Sequence, residues 1–235
     1  MGEELPGLSP EQVRQLVAQA SGALKVFPLP GAVVLPGTPT PLHVFEPRYR
    51  ALTADALAGD RVMAVATLRV STDAPQERAA LLPVAGAAFI EADEKVADGR
   101  YNIVLRGAAR VRLVEELERG KPYREFRGMV LDDVYPPEGP RALASQVEGL
   151  EQCILELAQL LPPESGASQL AQVATRVRAP GRLADLVAAA VVSEARARYR
   201  VLAELDVSKR LDLVMSEVAA VILMLSQGRK SPTRA

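Results

Sequence analysis

The sequence has no tryptophan, and all its aromatic residues together make up 4% of 235 residues. A platform of stacked rings for single-stranded nucleic acid therefore has little material to be built from. Cys153 is the only cysteine, so no intramolecular disulfide can form, and that usage fits a reducing compartment. His43 is the only histidine, and one His with one Cys does not make a zinc site of the usual ligand set. No apolar run approaches the roughly 18 residues that a membrane-spanning helix needs, and no export signal pattern opens the chain. A dominant charge sign is lacking too. Lys+Arg number 28 against 29 Asp+Glu, so no global field draws nucleic acid or an anionic membrane. The expectation is a soluble cytoplasmic protein without a membrane partner.

What is present is apolar substance: 49% of residues are hydrophobic, enough for a sizeable core in one large or two small domains. The chain is organised around Val26 to Leu57, where apolar residues are punctuated by Pro28, Pro30, Pro36, Pro39, Pro41 and Pro47. Proline confines such segments to sheet edges, turns and helix starts, so the stretch reads as strand, turn, strand, helix. Pro47 suits the first helical position and Glu46 brings negative charge to the positive end of the helix dipole. Tyr49, Leu52, Thr53, Ala56 and Leu57 then form one buried stripe, Arg48, Arg50 and Asp55 face away, and Gly59 supplies the stop.

Upstream, Ser9, Pro10 and Gln12 make a Ser-x-x-Gln capping box for a short helix with Val13, Leu16, Val17 and Ala20 on one face. Packing on its own domain is preferred for it over service as a partner-binding arm. Downstream, Arg61 to Val70 is apolar on both alternating faces, as in a central strand covered on two sides. Ser71 to Arg78 reads as a loop, and Leu82 to Asp93 as a strand bent or bulged at Gly86. Asp98-Gly99 marks a tight turn into an alternating strand with Tyr101, Ile103 and Leu105 buried. Tyr123 to Val134 adds one more strand. About six short strands with glycine bends suggest a small curled or closed sheet, and periodicity alone does not choose between barrel and sandwich.

The run FPLPGAVVLPGTPTPLHVFEPRYRAL, with DGRYNIVLRGAARVRL and ADLVAAAVVSEARARYRVLAELDVSKRLDLV after it, resembles the amino-terminal domain of Lon proteases. The likeness is closest to the form found in small stand-alone bacterial proteins, and it spans most of the chain in the family's order. It implies an α+β fold, a PUA-like β pseudo-barrel over about residues 23–135, preceded by the helix of residues 1–22. After the YPPEGP boundary a helical bundle is expected over 136–228, with a disordered tail at 229–235. For the bundle, Leu143, Val147, Leu150, Ile154, Leu157 and Leu161 form a heptad-like seam. Pro180 opens a second helix with Leu183, Leu186, Val187, Ala190 and Val191 inward, Ser193 caps a third, and Asp206 caps the last.

Full-length Lon is an ATP-dependent protease, whose engine needs a phosphate loop and a serine–lysine site. No G-x-x-x-x-G-K-[ST] phosphate loop occurs, Gly228-Arg229-Lys230-Ser231 being a poor echo, and no recognisable serine–lysine site is found. The expectation is no enzyme, no catalytic residue, no cofactor and no metal. His43 is better read as hydrogen-bonded or exposed than as catalytic, Cys153 as a small core residue, and the carboxylates Glu91, Asp93, Glu94, Asp98, Asp132 and Asp133 as solvated acids. Arg48, Arg50, Arg100, Arg106, Arg110 and Arg112 gathering beside Tyr49 and Tyr101 would suit RNA, although solvated strand edges explain most of them. In the Glu46-Pro47-Arg48-Tyr49 motif only Arg48 is left unexplained by folding.

The resemblance implies a non-catalytic protein-binding module, an adaptor in protein quality control. Its partners would be unfolded or damaged polypeptides, or a protein, held at His43, Phe45, Arg48 and Arg106. The alternatives are a nucleic-acid-binding barrel, which is disfavoured, and a small-molecule binder or hydrolase.

Overall fold

In the computed structural model, which describes residues 8–69 and 79–230, two compact units divide at Asp132/Asp133. The expected loop at Ser71 to Arg78 lies outside the described residues, as do residues 231–235 of the expected tail.

The first unit opens with helix α1 (Pro10–Ala20). The capping box is complete: Gln12 N–H donates to Ser9 Oγ at 3.2 Å, and Ser9 N–H donates to Gln12 Oε1 at 2.8 Å. Strand β1 (Leu24–Leu29), strand β2 (Pro39–Val44) and helix α2 (Pro47–Leu57) follow in the expected order. Strands β3 (Val62–Thr67), β4 (Val84–Lys95), β5 (Tyr101–Leu117) and β6 (Arg124–Leu131) complete one sheet of order β2-β5-β4-β3-β1-β6. Because β5 pairs along its far half with β6 as well, strands β5, β4, β3, β1 and β6 form a closed ring, and β2 lies outside it against the near half of β5.

Alternation explains the two-sided burial of β3. Val62, Ala64 and Ala66 join a core with Val13 and Val17 of α1, Val26, Ala87 and Phe126, whereas Met63 and Val65 join a second core with Tyr49, Leu52 and Ala56 of α2. With a period of two, a strand apolar at every position serves both layers, each fully buried Val contributing on the order of 1.5–3 kcal/mol.

Gly59 and Gly86 differ from the sequence expectation. Gly59 does not take a left-handed conformation; Arg61 does, at φ 59°, and its amide closes the helix onto Ala56 O at 2.8 Å. That strained backbone is held by the guanidinium, which bonds Ile90 O at 2.9 Å and Asp93 at 2.6 Å. Gly86 is likewise more than a bend. The buried segment Val33-Val34-Leu35 crosses β4 and β5 so closely that a β-carbon at Gly86 would overlap Val34 O, and one at Gly107 would overlap Leu35 O. Leaving that crossing, Gly37 N–H donates to Gly107 O at 2.8 Å and Gly107 N–H to Thr38 O at 3.0 Å, which starts β2 in register on β5.

The second unit contains α3 (Ala144–Leu160), α4 (Ala167–Ala174), α5 (Pro180–Val191), α6 (Ala195–Ala203) and α7 (Val207–Lys230). The seam on α3 buries Leu150, Ile154 and Leu157, with Cys153 beside it half-buried. Helix α4, only 8 residues after the left-handed Gly166, escaped the sequence reading. The cap of α6 is Glu194 rather than Ser193, its carboxylate accepting from Ala197 N–H at 2.6 Å. Asp206 caps α7 through Ser208 N–H at 3.0 Å. On α5 the inward face is Leu183, Ala184, Val187 and Ala188, with Ala190 exposed.

Asp185 of α5 is buried as well, and the reason is Arg210, the largest fully buried side chain of the chain's described residues. Its guanidinium pairs with Asp133 at 2.6 Å and Asp185 at 3.6 Å and donates to Glu204 O at 2.9 Å. Gly181 clears the space, since a β-carbon there would overlap the Asp133 carboxylate. Val134 makes a single parallel bridge to Asp206, its N–H donating to Leu205 O at 2.8 Å and its carbonyl accepting from Val207 N–H at 3.0 Å.

Two stability results are expected in urea unfolding. Gly107→Ala should cost at least about 2 kcal/mol by forcing backbone apart, while Gly22→Ala, whose β-carbon meets nothing within 4 Å, should be near neutral. Arg210→Met should cost about 3–5 kcal/mol, because two acids lose their buried counter-charge; a near-neutral result would contradict that assignment.

Candidate functional site

Strand β2 is where the proline-rich stretch meets solvent. Leu42 and Val44 turn into the core with α2, so by alternation Pro39, Pro41 and His43 turn out, and Phe45 continues their row at 61% exposure. The antiparallel register sets Pro41 beside Val104 and His43 beside Asn102 on β5, then Val104 beside Ala92 and Asn102 beside Glu94 on β4. These six side chains line an open depression of about 670 Å³.

Its polar groups are joined in one direction. Asn102 Nδ2 donates to Glu94 Oε2 at 2.8 Å, which leaves Asn102 Oδ1 as an acceptor 2.7 Å from His43 Nδ1. His43 Nδ1 therefore carries the proton, and Nε2 accepts from Arg100 Nη1 at 3.4 Å. Arg100 also pairs with Asp98 at 2.5 Å, and the Arg100 amide bonded to Asp98 holds that carboxyl below the usual carboxylate range. With both ring nitrogens engaged, His43 is placed as a hydrogen-bonded spacer and has no spare nitrogen for general base work. Its ring lies 6.3 Å from that of Phe45, inclined by 25°.

Of the residues expected to bind peptide, the fold brings His43 and Phe45 together and sets Arg106 at the other end of the same ladder, beside Pro39. Arg106 is occupied by Glu91, its Nε donating at 2.9 Å. Arg48 is elsewhere. Its Nε and Nη2 reach Glu46 Oε2 at 3.0 and 2.9 Å, and its guanidinium covers the Tyr49 ring at 4.6 Å from the centroid. Folding thus does explain Arg48, against the sequence reading, and Glu46 spends its carboxylate on Arg48 instead of on the helix amides. Burial raises the Tyr49 phenol above its ordinary range, with the Arg48 charge acting against it. The neutral hydroxyl donates to Pro28 O at 3.4 Å.

Four of the six arginines do not contribute to a bare basic face. Arg48, Arg100 and Arg106 each have a carboxylate, Arg110 is buried, and Tyr49 and Tyr101 are in the core. Val114 and Met129 are also exposed, on β5 and β6, beside the Arg127–Glu115 pair. Among the described residues no group of three His, Cys, Asp or Glu side chains is placed to hold a metal ion, and no helix is long and apolar enough to cross a membrane.

Sequence reasoning missed Asn102 as the hub of this network. The signal was there: once Asp98-Gly99 is a hairpin, Glu94 and Asn102 fall opposite each other and on the polar side of the alternation.

Residues 23–220 match the family model of the ATP-dependent protease La (LON) substrate-binding domain. The chain belongs to that family. It is 31% identical over 194 residues to Lon protease 2 of Myxococcus xanthus, covering 82% of this chain and 23% of that protein. It is 29% identical over 211 residues to Lon protease 2 of Thermus thermophilus, covering 88% of this chain and 25% of that protein. The chain thus spans about a quarter of these relatives' length. Among solved structures, the N-terminal domain of a Mycobacterium avium complex Lon protease superposes with a TM-score of 0.66 at 18% identity, over 84% of this chain and 98% of that one. A Lon N-terminal domain protein from Xanthomonas campestris gives 0.55 at 21% identity, over 83% and 97%. These likenesses define the fold.

The tautomer is open to direct measurement. Long-range proton–nitrogen spectra at neutral pH should show His43 Nδ1 protonated and Nε2 bare, and Asn102→Ala should shift the population towards the Nε2–H form; a wild-type ring already in that form would contradict the hydrogen-bond direction.

Proposed function

We propose that this chain is a non-catalytic recognition module that binds non-native polypeptide on the outward row of β2, acting as an adaptor in protein quality control. The observation that carries the reading is the row itself. Pro39, Pro41 and His43 stand exposed on β2, with Phe45 just after it, in a domain of the Lon substrate-binding family. An apolar row with few fixed polar partners suits segments that a folded protein keeps inside. The Glu94–Asn102–His43–Arg100 network holds the His43 ring in place, so Phe45 has a fixed neighbour and little side-chain freedom is lost on contact.

Arg106 contributes a flanking charge in this reading, and Arg48 supports the Tyr49 ring from the side. A nucleic-acid role finds no support in the buried tyrosines and the acid-paired arginines.

The test is fluorescence anisotropy of a labelled, permanently unfolded polypeptide titrated with the protein, in the presence of folded competitor or of RNA. Saturable binding that neither competitor removes is expected, with Phe45→Ala weakening it roughly tenfold and Arg48→Ala leaving it within about twofold. Binding lost to RNA competitor, or insensitive to Phe45→Ala, would contradict the proposal.

A further inference from the structure

A segment bound at β2 lies either on its face or along its edge, and the prolines decide between the two. Strand β2 ends the sheet order and, among the described residues, pairs only with β5. Thr38 O accepts from Gly107 N–H, which fixes the parity of the ladder. In an antiparallel pair alternate residues turn their backbone groups to the partner, so Thr40, Leu42 and Val44 face β5. Pro39, Pro41 and His43 then direct their backbone groups to the open edge.

Two of those three residues have no N–H. The open edge therefore presents three carbonyl acceptors and a single donor, the His43 amide. A second copy of β2 is a poor match for it, since two such edges set carbonyls against prolines and only the two His43 amides have anything to give. Self-pairing through an exposed edge is the usual hazard of such a strand, and this edge is guarded against it. A foreign strand is a different case. A proline-free segment supplies an N–H at every second residue, the group the edge lacks, and its outward side chains run alongside Pro41, His43 and Phe45.

Resting on the reading that this surface binds polypeptide, we propose that the β2 edge takes an extended, proline-free segment as an added strand, secured by N–H donors of the segment to the carbonyls of Pro39, Pro41 and His43. The recognised feature is then backbone that is unpaired and extended, together with an apolar or aromatic side chain at alternate positions. Segments carrying proline in the bonding phase are rejected.

The experiment uses a fluorescein-labelled peptide in which threonine alternates with valine, with phenylalanine at a central valine position, and two isomers of it. One isomer is N-methylated at two valine or phenylalanine positions, the other at two threonine positions. The side-chain pattern fixes which row lies outward, so only one methylation phase removes donors from the β2 edge. That isomer should bind roughly tenfold or more weakly than the parent, and the other should bind like the parent. Pro41→Thr supplies the missing outward N–H and should tighten the parent peptide severalfold; circular dichroism of this variant checks that the sheet is intact. Equal binding by both isomers, with the parent peptide bound, would overturn the added strand while leaving polypeptide binding by the face in place. No binding of the parent peptide, with unfolded polypeptide bound as above, would also overturn it, and failure of both would remove the two proposals together.

Discussion

The first unit depends on a backbone crossing. Val34 and Leu35 lie against Gly86 and Gly107 at a distance that no side chain permits, and the chain leaves this crossing already hydrogen-bonded to β5 at Thr38. The register of β2 follows from it, because a sheet ladder once started repeats every two residues. A slip of one residue would turn Leu42 and Val44 out and bury Pro41 and His43. Two glycines, separated by twenty-odd positions, thus decide which residues of the proline-rich stretch reach solvent.

From that register the rest of the surface follows. His43 falls opposite Asn102 because β2 is in register with β5, and Asn102 falls opposite Glu94 because the hairpin at Gly99 folds β4 onto β5. Three strands each supply one polar group to one network, whose direction is set by the single acceptor of the amide and the carboxylate at its end. The prolines that break the sheet at its edge are the same residues that make up the exposed row. The second unit is organised by its own buried charge, Arg210, which joins the incoming Asp133 to α5. Pairs of this type fix an arrangement more than they add stability, since desolvation offsets most of the attraction.

Much of the fold was legible where periodicity was long and unbroken. The stripe of α2, the two-faced burial of β3, the alternation of Tyr101, Ile103 and Leu105, and the seam of α3 all stand where the spacing put them, because burial repeats with the element that causes it. What was not legible depends on contacts distant in sequence. Gly86 read as a bend or bulge, when the reason for it, as for Gly107, is the backbone of Val34 and Leu35. Asp185 in an apolar helix carried a signal that nothing local interpreted, its partner being on α7. Arg61 in a left-handed turn has no sequence mark at all, for its strain is held by Ile90 O and Asp93. Arg48 looked unused because its partner Glu46 had been assigned to the helix dipole. Of the candidate site, His43 and Phe45 were named from the motif, whereas Asn102 and Glu94 acquire meaning only through the β2–β5–β4 register.

The outward row of β2 is proposed as the polypeptide-binding surface. The most direct measurement is an amide spectrum of the isotopically labelled protein, recorded as a permanently unfolded polypeptide is added. The account predicts that shifts concentrate at His43, Phe45, Asn102, Val104 and Arg106, with the helices of the second unit unmoved. Shifts centred on Val114 and Met129, or on the exposed Leu223 and Met224 of α7, with His43 and Phe45 silent, would contradict it.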